Sequence, residues 1–177
     1  MIRSVIVILM NLLRIAVGRL SHGSRYAVHH LQRISPFCAL KIFQRGRLEI
    51  GRNCEFAHGC DIEVFDDATI SIGEGTYMNR YCMVSAHSGV TIGKHCLFGA
   101  GVKVFDNNHV HSHETGVSTQ LTSAPIVIGD HCWLASDVVV LKGVTIGNNC
   151  VVGAGCIVYQ DIPAGSVVYH KQELVVR

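Results

Sequence analysis

From about residue 50 the apolar positions of this chain recur every six residues, a period that neither a helix nor an ordinary strand produces. Five segments open on Ile-Gly-x-x-Cys/Thr, beginning at Ile50, Ile72, Ile92, Ile128 and Ile146. Steps of six from these isoleucines reach Phe56 and Ile62, Met78 and Val84, Phe98 and Val104, Leu134 and Val140, and Val152 and Val158, all apolar. A chain wound around a triangular prism satisfies this pattern. Each face takes one rung, a coil takes about eighteen residues, and coils stack at the strand spacing of about 4.8 Å. The first residue of each rung points inward. The glycine after each isoleucine is expected at a corner, where it takes positive φ without a Cβ clash. The residue four places after each rung start is expected inside, where only a small side chain fits.

That register accounts for the cysteines. Seven of eight (Cys54, Cys60, Cys82, Cys96, Cys132, Cys150, Cys156) stand four residues after a rung start, and only Cys38 falls outside. There is no CxxC pair, so buried reduced thiols acting as small apolar side chains explain them better than disulfides or zinc. A reducing compartment follows. The period breaks three times, with four extra residues between Ile62 and Ile72, two between Val84 and Ile92, and eighteen between Val104 and Ile128. The short breaks read as corner insertions. The long one, residues 106–124, reads as a loop thrown out from the prism, the kind of segment that carries function. The expected organisation is a helical or capping segment over 1–47, an all-β coil domain over 48–165 and a tail over 166–177.

Charge is divided unevenly. Residues 1–52 hold nine Lys/Arg and one acid, Glu49, whereas residues 53–177 hold six bases and twelve acids. A basic, apolar amino terminus suggests contact with an anionic surface, phospholipid before nucleic acid, because the aromatic and glycine patterns of RNA-binding modules are missing. The apolar run Val5–Leu13 is too short to span a bilayer as a helix. Three readings stay open for it: a helix at a membrane or partner surface, a cap on the end of the coils, or the apolar part of a signal peptide.

The repeat resembles that of the hexapeptide-repeat acyltransferases over about residues 48–177. The resemblance implies a left-handed parallel β-helix, against the usual right-handed crossover rule, and assembly as a homotrimer with active sites between prisms. Three stretches narrow it to the sugar O-acetyltransferases, with acetyl-CoA as co-substrate. Tyr77–Cys82 is similar to the segment carrying their active-site asparagine, which corresponds to Asn79. The stretch Asp106-Asn107-Asn108-His109-Val110-His111-Ser112-His113-Glu114 resembles the galactoside and maltose acetyltransferase loop, whose catalytic histidine corresponds to His109. The run Ile128–Asp161 is similar to the coils that line their CoA channel. There Trp133 corresponds to an active-site tryptophan, and Ser136 and Ala154 to residues whose backbone meets the pantetheine arm. Two departures stand out. His170–Leu174 replaces a common Gly-Asn-Pro-Ala-Lys segment near the CoA nucleotide, leaving Lys171 or Arg177 to meet a phosphate, and Lys142 stands where a proline is common.

Acetyl transfer to a hydroxyl needs a base for the proton and a donor for the oxyanion. Histidine suits the first task at cellular pH, and His109 is the candidate, with Asn79 orienting acceptor or base. In an extended segment, alternation would turn His111 and His113 to the same side as His109, toward an acceptor. Trp133, the only tryptophan, sits at an outward position and is expected to line the acyl or acceptor site. His58, His95 and His131 read as polar surface. No metal is expected. A rival reading places His87, His109 and His113 around one metal, as in β-helix carbonic anhydrases. Other acceptors within the acyltransferase reading are a serine, an amino sugar or an antibiotic. The basic terminus, residues 1–20, favours a lipid-linked saccharide acceptor and a cytoplasmic protein peripheral to the inner face of the membrane.

Overall fold

In the computed structural model, which describes residues 2–171, the chain forms three parallel sheets of six, seven and six strands, wound in turn by successive coils. The first sheet runs from Tyr26–Val28 to Thr145–Ile146, the second from Arg33–Ile34 to Val167–Val168, and the third from Ala39–Ile42 to Ile157–Val158. This is a left-handed parallel β-helix of about six turns with one amino-terminal helix, Ile2–His22. All fifteen rung positions read from the sequence are buried, none more than 4% exposed. They stack in register: Val28, Ile50, Ile72, Ile92, Ile128 and Ile146 make one inward column.

The coils begin earlier than the motif does. Tyr26–Val28 pairs with Leu48–Ile50, so the first coil lies within the segment read as helical or capping. It is hidden because it reads Val28-His29-His30-Leu31-Gln32 where later coils read Ile-Gly-x-x-Cys. Cys38 belongs to this coil, four residues after inward Ile34, directly beneath Cys60 and Cys82 by strand register.

Two expectations about the corners need correcting. Gly51, Gly73, Gly93, Gly129 and Gly147 do not have positive φ. They are required by close approach. A Cβ on Gly73 would meet the carbonyl carbon of Gly93 at 2.6 Å, and one on Gly93 would meet that of Gly129 at 2.6 Å. Positive φ falls two residues later, at Asn53, Gly75, His95, His131 and Asn149. The small inward residues are also more than filler. Cys54, Cys96, Cys132 and Cys150 each donate a thiol hydrogen bond of 3.1–3.2 Å to the corner carbonyl of the next coil, at Gly73, Gly129, Gly147 and Pro163. Thr76 reaches Gly93 O at 2.9 Å in the same way, and Gln32 reaches Gly51 O. The alternation of Cys and Thr in the motif is therefore a choice between donors of similar reach.

Main-chain bonds between coils run both ways, as in His29 N to Ile50 O and Asn53 N to Leu31 O. Carbonyls of the first coil that face away from the second have no coil beneath them, and the helix supplies donors to several. Asn11 Nδ2 bonds Ile34 O at 2.9 Å, Arg14 reaches the carbonyls of Ser35, Pro36 and Cys38, and Arg19 reaches Val28 O at 3.0 Å. Part of the amino-terminal positive charge thus closes the open end of the sheets.

Candidate active site

Every insertion falls on one edge of the prism, where the third sheet turns into the first. Phe43, Phe65 and His87 occupy that corner in successive coils and stack face to face, with centroids 4.5 and 4.4 Å apart. Above them the eighteen-residue insertion is no irregular loop. It is an antiparallel hairpin of Asn107–Ser112 with Gly116–Ser123. Its root is fixed by Asp106, fully buried, whose carboxylate accepts backbone N–H bonds from His87, Ser88 and Gly89 at 2.6–3.0 Å. These three donors, with Asn107 Nδ2 at 3.2 Å, satisfy that carboxylate without a cation, and the backbone donors lock the corner below to the hairpin above.

His109 stands on the hairpin's first strand, exposed, opposite Leu121. Its Nδ1 lies 3.1 Å from the carbonyl oxygen of Ser118. A carbonyl only accepts, so this contact makes Nδ1 the donor and, in the neutral ring, leaves Nε2 as the acceptor. A groove of about 450 Å³ beside it is lined by Asn108, His109, Val110, His111, Thr122 and Lys142. The expected alternation does not extend to all three histidines. The pairing register shifts between His109 and His111, and His113 falls in the turn beyond the strand, outside the groove lining.

The remaining candidates lie elsewhere on the prism. Trp133, 50% exposed, stands on the outer face of the second sheet between Leu97 and Val151. Asn79 follows the second-sheet strand Tyr77–Met78 at the next corner, its Oδ1 accepting from Arg80 N at 2.8 Å. Ser136 and Ala154 share that corner in later coils, and Gly155 N bonds Ser136 O. In a three-faced prism the second sheet lies opposite the edge that carries the hairpin. One chain therefore sets His109 and His111 on one side, and Asn79, Trp133, Ser136 and Ala154 on the other. Lys171 is exposed beside a cavity of about 320 Å³ at the carboxy-terminal end, lined by Tyr159, Asp161, Ser166 and His170 among others. Arg177 lies outside the described residues.

The His87 ring is engaged with the coil below. It stacks on Phe65, and its Nδ1 sits 3.0 Å from Asp66 Oδ2. Among the described residues no group of three or more His, Cys, Asp or Glu side chains is arranged to hold a metal ion. His95 and His131 stack on each other in left-handed corners, and His58 packs between Phe37 and Tyr81. Three participants escaped the sequence reading. The Ser118 carbonyl is a main-chain contact with no residue signature. The latch role of Asp106 depends on a corner one coil away, which spacing alone does not mark. Lys142, whose Nζ reaches Thr122 Oγ1 at 3.3 Å, was visible only as a departure from proline.

The repeat and the fold have relatives among known proteins. Residues 125–160 match the family model described as bacterial transferase hexapeptide (six repeats), and residues 89–104 match the hexapeptide repeat of succinyl-transferase. The putative lipopolysaccharide biosynthesis O-acetyl transferase WbbJ of Escherichia coli is 31% identical over 132 residues, covering 70% of this chain and 67% of the relative. The chain belongs to the hexapeptide-repeat acyltransferases. Within this family the galactoside O-acetyltransferase of E. coli is 39% identical over 100 residues, 56% of this chain and 49% of the relative. The chain thus spans about half to two thirds of these curated relatives. A hexapeptide-repeat acetyltransferase of Vibrio cholerae, solved with acetyl-coenzyme A, shares the fold at a TM-score of 0.55 and 24% identity, over 89% of this chain and 71% of that one.

Proposed function

We propose that this acyltransferase moves the acetyl group of acetyl-CoA to a sugar hydroxyl of a surface saccharide, with His109 as the general base. The observation that carries this reading is the 3.1 Å contact between His109 Nδ1 and the Ser118 carbonyl, in a residue that lines an open groove. With Nδ1 donating to that carbonyl, Nε2 of the neutral ring is the atom that accepts a proton. His109 Nε2 removes the acceptor's hydroxyl proton as that oxygen attacks the thioester carbonyl carbon. A backbone N–H steadies the resulting oxyanion. Collapse breaks the carbon–sulfur bond, and the imidazolium returns the proton to the departing thiolate, so acetyl ester and free thiol leave together. His111 and Lys142, in the same groove, meet the acceptor's other hydroxyls.

Because His109 and Trp133 face opposite ways, a working site takes His109 from one chain and Asn79, Trp133, Ser136 and Ala154 from a neighbour, as a homotrimer would arrange. The saccharide acceptor draws support from the names of the relatives, which act on galactosides and in lipopolysaccharide biosynthesis. Purified protein incubated with acetyl-CoA and a panel of saccharides should release thiol. His109→Ala should lower that rate by about 10²–10⁴-fold, the usual worth of a positioned base, while acetyl-CoA binding measured by calorimetry stays intact. Undiminished turnover in the variant removes His109 from this role.

A further inference from the structure

The amino-terminal helix buries one face and leaves a second apolar face open. At 100° per residue, Asn11, Ile15 and Gly18 fall on the face against the prism, where Asn11 and Ile15 are 2% and 4% exposed. Ile6, Leu9, Leu13, Val17 and Leu20 fall together on the opposite side, 42–88% exposed as a group with neighbouring Leu12. No acid occurs before Glu49, while Arg14, Arg19 and Arg25 lie along the flanks of the same end, reaching main-chain carbonyls of the prism. The stretch Ile6–Arg25 is long and apolar enough to cross a membrane by composition. Its hydrogen bonds to the first coil keep its inner face on the protein instead. An apolar stripe flanked by cationic side chains, on a helix fixed across one end of a rigid body, suits the interface of an anionic bilayer.

We propose that this helix lies flat in an anionic membrane surface and stands the prism upright on it. The open stripe points directly away from the coils, so the bilayer plane crosses the prism axis. The hairpin leaves the fourth strand of the third sheet, three coil steps or about 14 Å above the first coil, and the helix adds roughly 10 Å. The root of the hairpin that carries His109 is thereby roughly 25 Å from the outer side of the helix, a height that sets the site above the sugar joined directly to a membrane lipid. Resting on the acetyl-transfer reading, this makes the acceptor a membrane-anchored saccharide modified several sugars out from its anchor.

The test uses the full chain and vesicles of phosphatidylcholine with or without phosphatidylglycerol. The protein should float with the anionic vesicles only, and the double variant Leu9→Glu/Leu13→Glu should stay in solution while acetylating a soluble saccharide at the wild-type rate. Brominated acyl chains should quench a tryptophan placed by Leu13→Trp and leave the native Trp133 unquenched. Failure to float, quenching of Trp133, or release only by detergent overturns the upright, peripheral arrangement. Equal acetylation of a lipid carrying one sugar and a lipid carrying several overturns the stand-off. Flotation without any acetyl transfer to any acceptor leaves the membrane inference standing and sinks the proposed activity instead.

Discussion

Cys96 and Thr76 occupy equivalent places in successive coils, and each donates to the corner carbonyl above it. The neighbouring Cys132 thiol and burial push the Cys96 thiol up, and burial pushes the Cys54 thiol up to about 11. Cys96→Thr should therefore cost less than about 1 kcal/mol. Cys96→Val, similar in shape but without a donor, should cost about 1–3 kcal/mol by stranding the Gly129 carbonyl. Paired urea titrations decide it, and equal losses would reduce the cysteines to plain filler. Asp106 is the other residue whose removal should be felt widely. Asp106→Ala leaves the N–H groups of His87, Ser88 and Gly89 without their acceptor and should cost about 3 kcal/mol or more. It should also lower turnover, because the hairpin root is no longer fixed, whereas Asp106→Asn keeps one acceptor oxygen and recovers part of both. A melting temperature within a degree of the wild type would show that the latch contributes nothing.

The coil as an element was legible wherever the Ile-Gly-x-x-Cys pattern survived, because inward apolar residues and close-packed corners are local demands on residue type. The first coil was not legible, since Gln32 can supply the corner hydrogen bond with a longer side chain and so removes the cysteine that marks the others. The hairpin was foreseen as an insertion but not as a hairpin, because its strands carry few apolar residues and bury little. The roles of the glycines were misassigned for a physical reason. Close approach and positive φ both select glycine, and composition does not distinguish them. Substitution does. Gly73→Ala sets a Cβ 2.6 Å from main-chain carbon that cannot move aside, so it should cost about 1–3 kcal/mol or more. Gly155, at φ 72° with nothing within 4 Å, should pay only for its backbone conformation, about 1–2 kcal/mol with Ala. Asparagine tolerates that conformation, so Gly155→Asn should regain most of the loss and Gly73→Asn none. Thermal melts of the four variants test the assignment, and a rescue at Gly73 would reverse it.

At the scale of the whole molecule, the division of candidate residues between two sides of the prism is the fact the sequence could not supply. Motif spacing places His109 and Trp133 in adjacent coils, and adjacency along the axis looks like proximity. Winding separates them, because a hairpin on one edge and a tryptophan on the opposite sheet diverge. If the site is shared between chains, two inactive variants should cure each other. A His109→Ala chain keeps Trp133, and a Trp133→Ala chain keeps His109. In a cyclic trimer assembled from equal amounts of both, about one interface in four joins an intact His109 to an intact Trp133. Unfolding the two variants together and refolding the mixture should thus restore about a quarter of the wild-type rate, whereas mixing them folded should restore little until subunits exchange. Activity no higher than the mean of the separate variants after co-refolding would mean that each chain builds its site alone, and that the hairpin must fold back across the third sheet to do so.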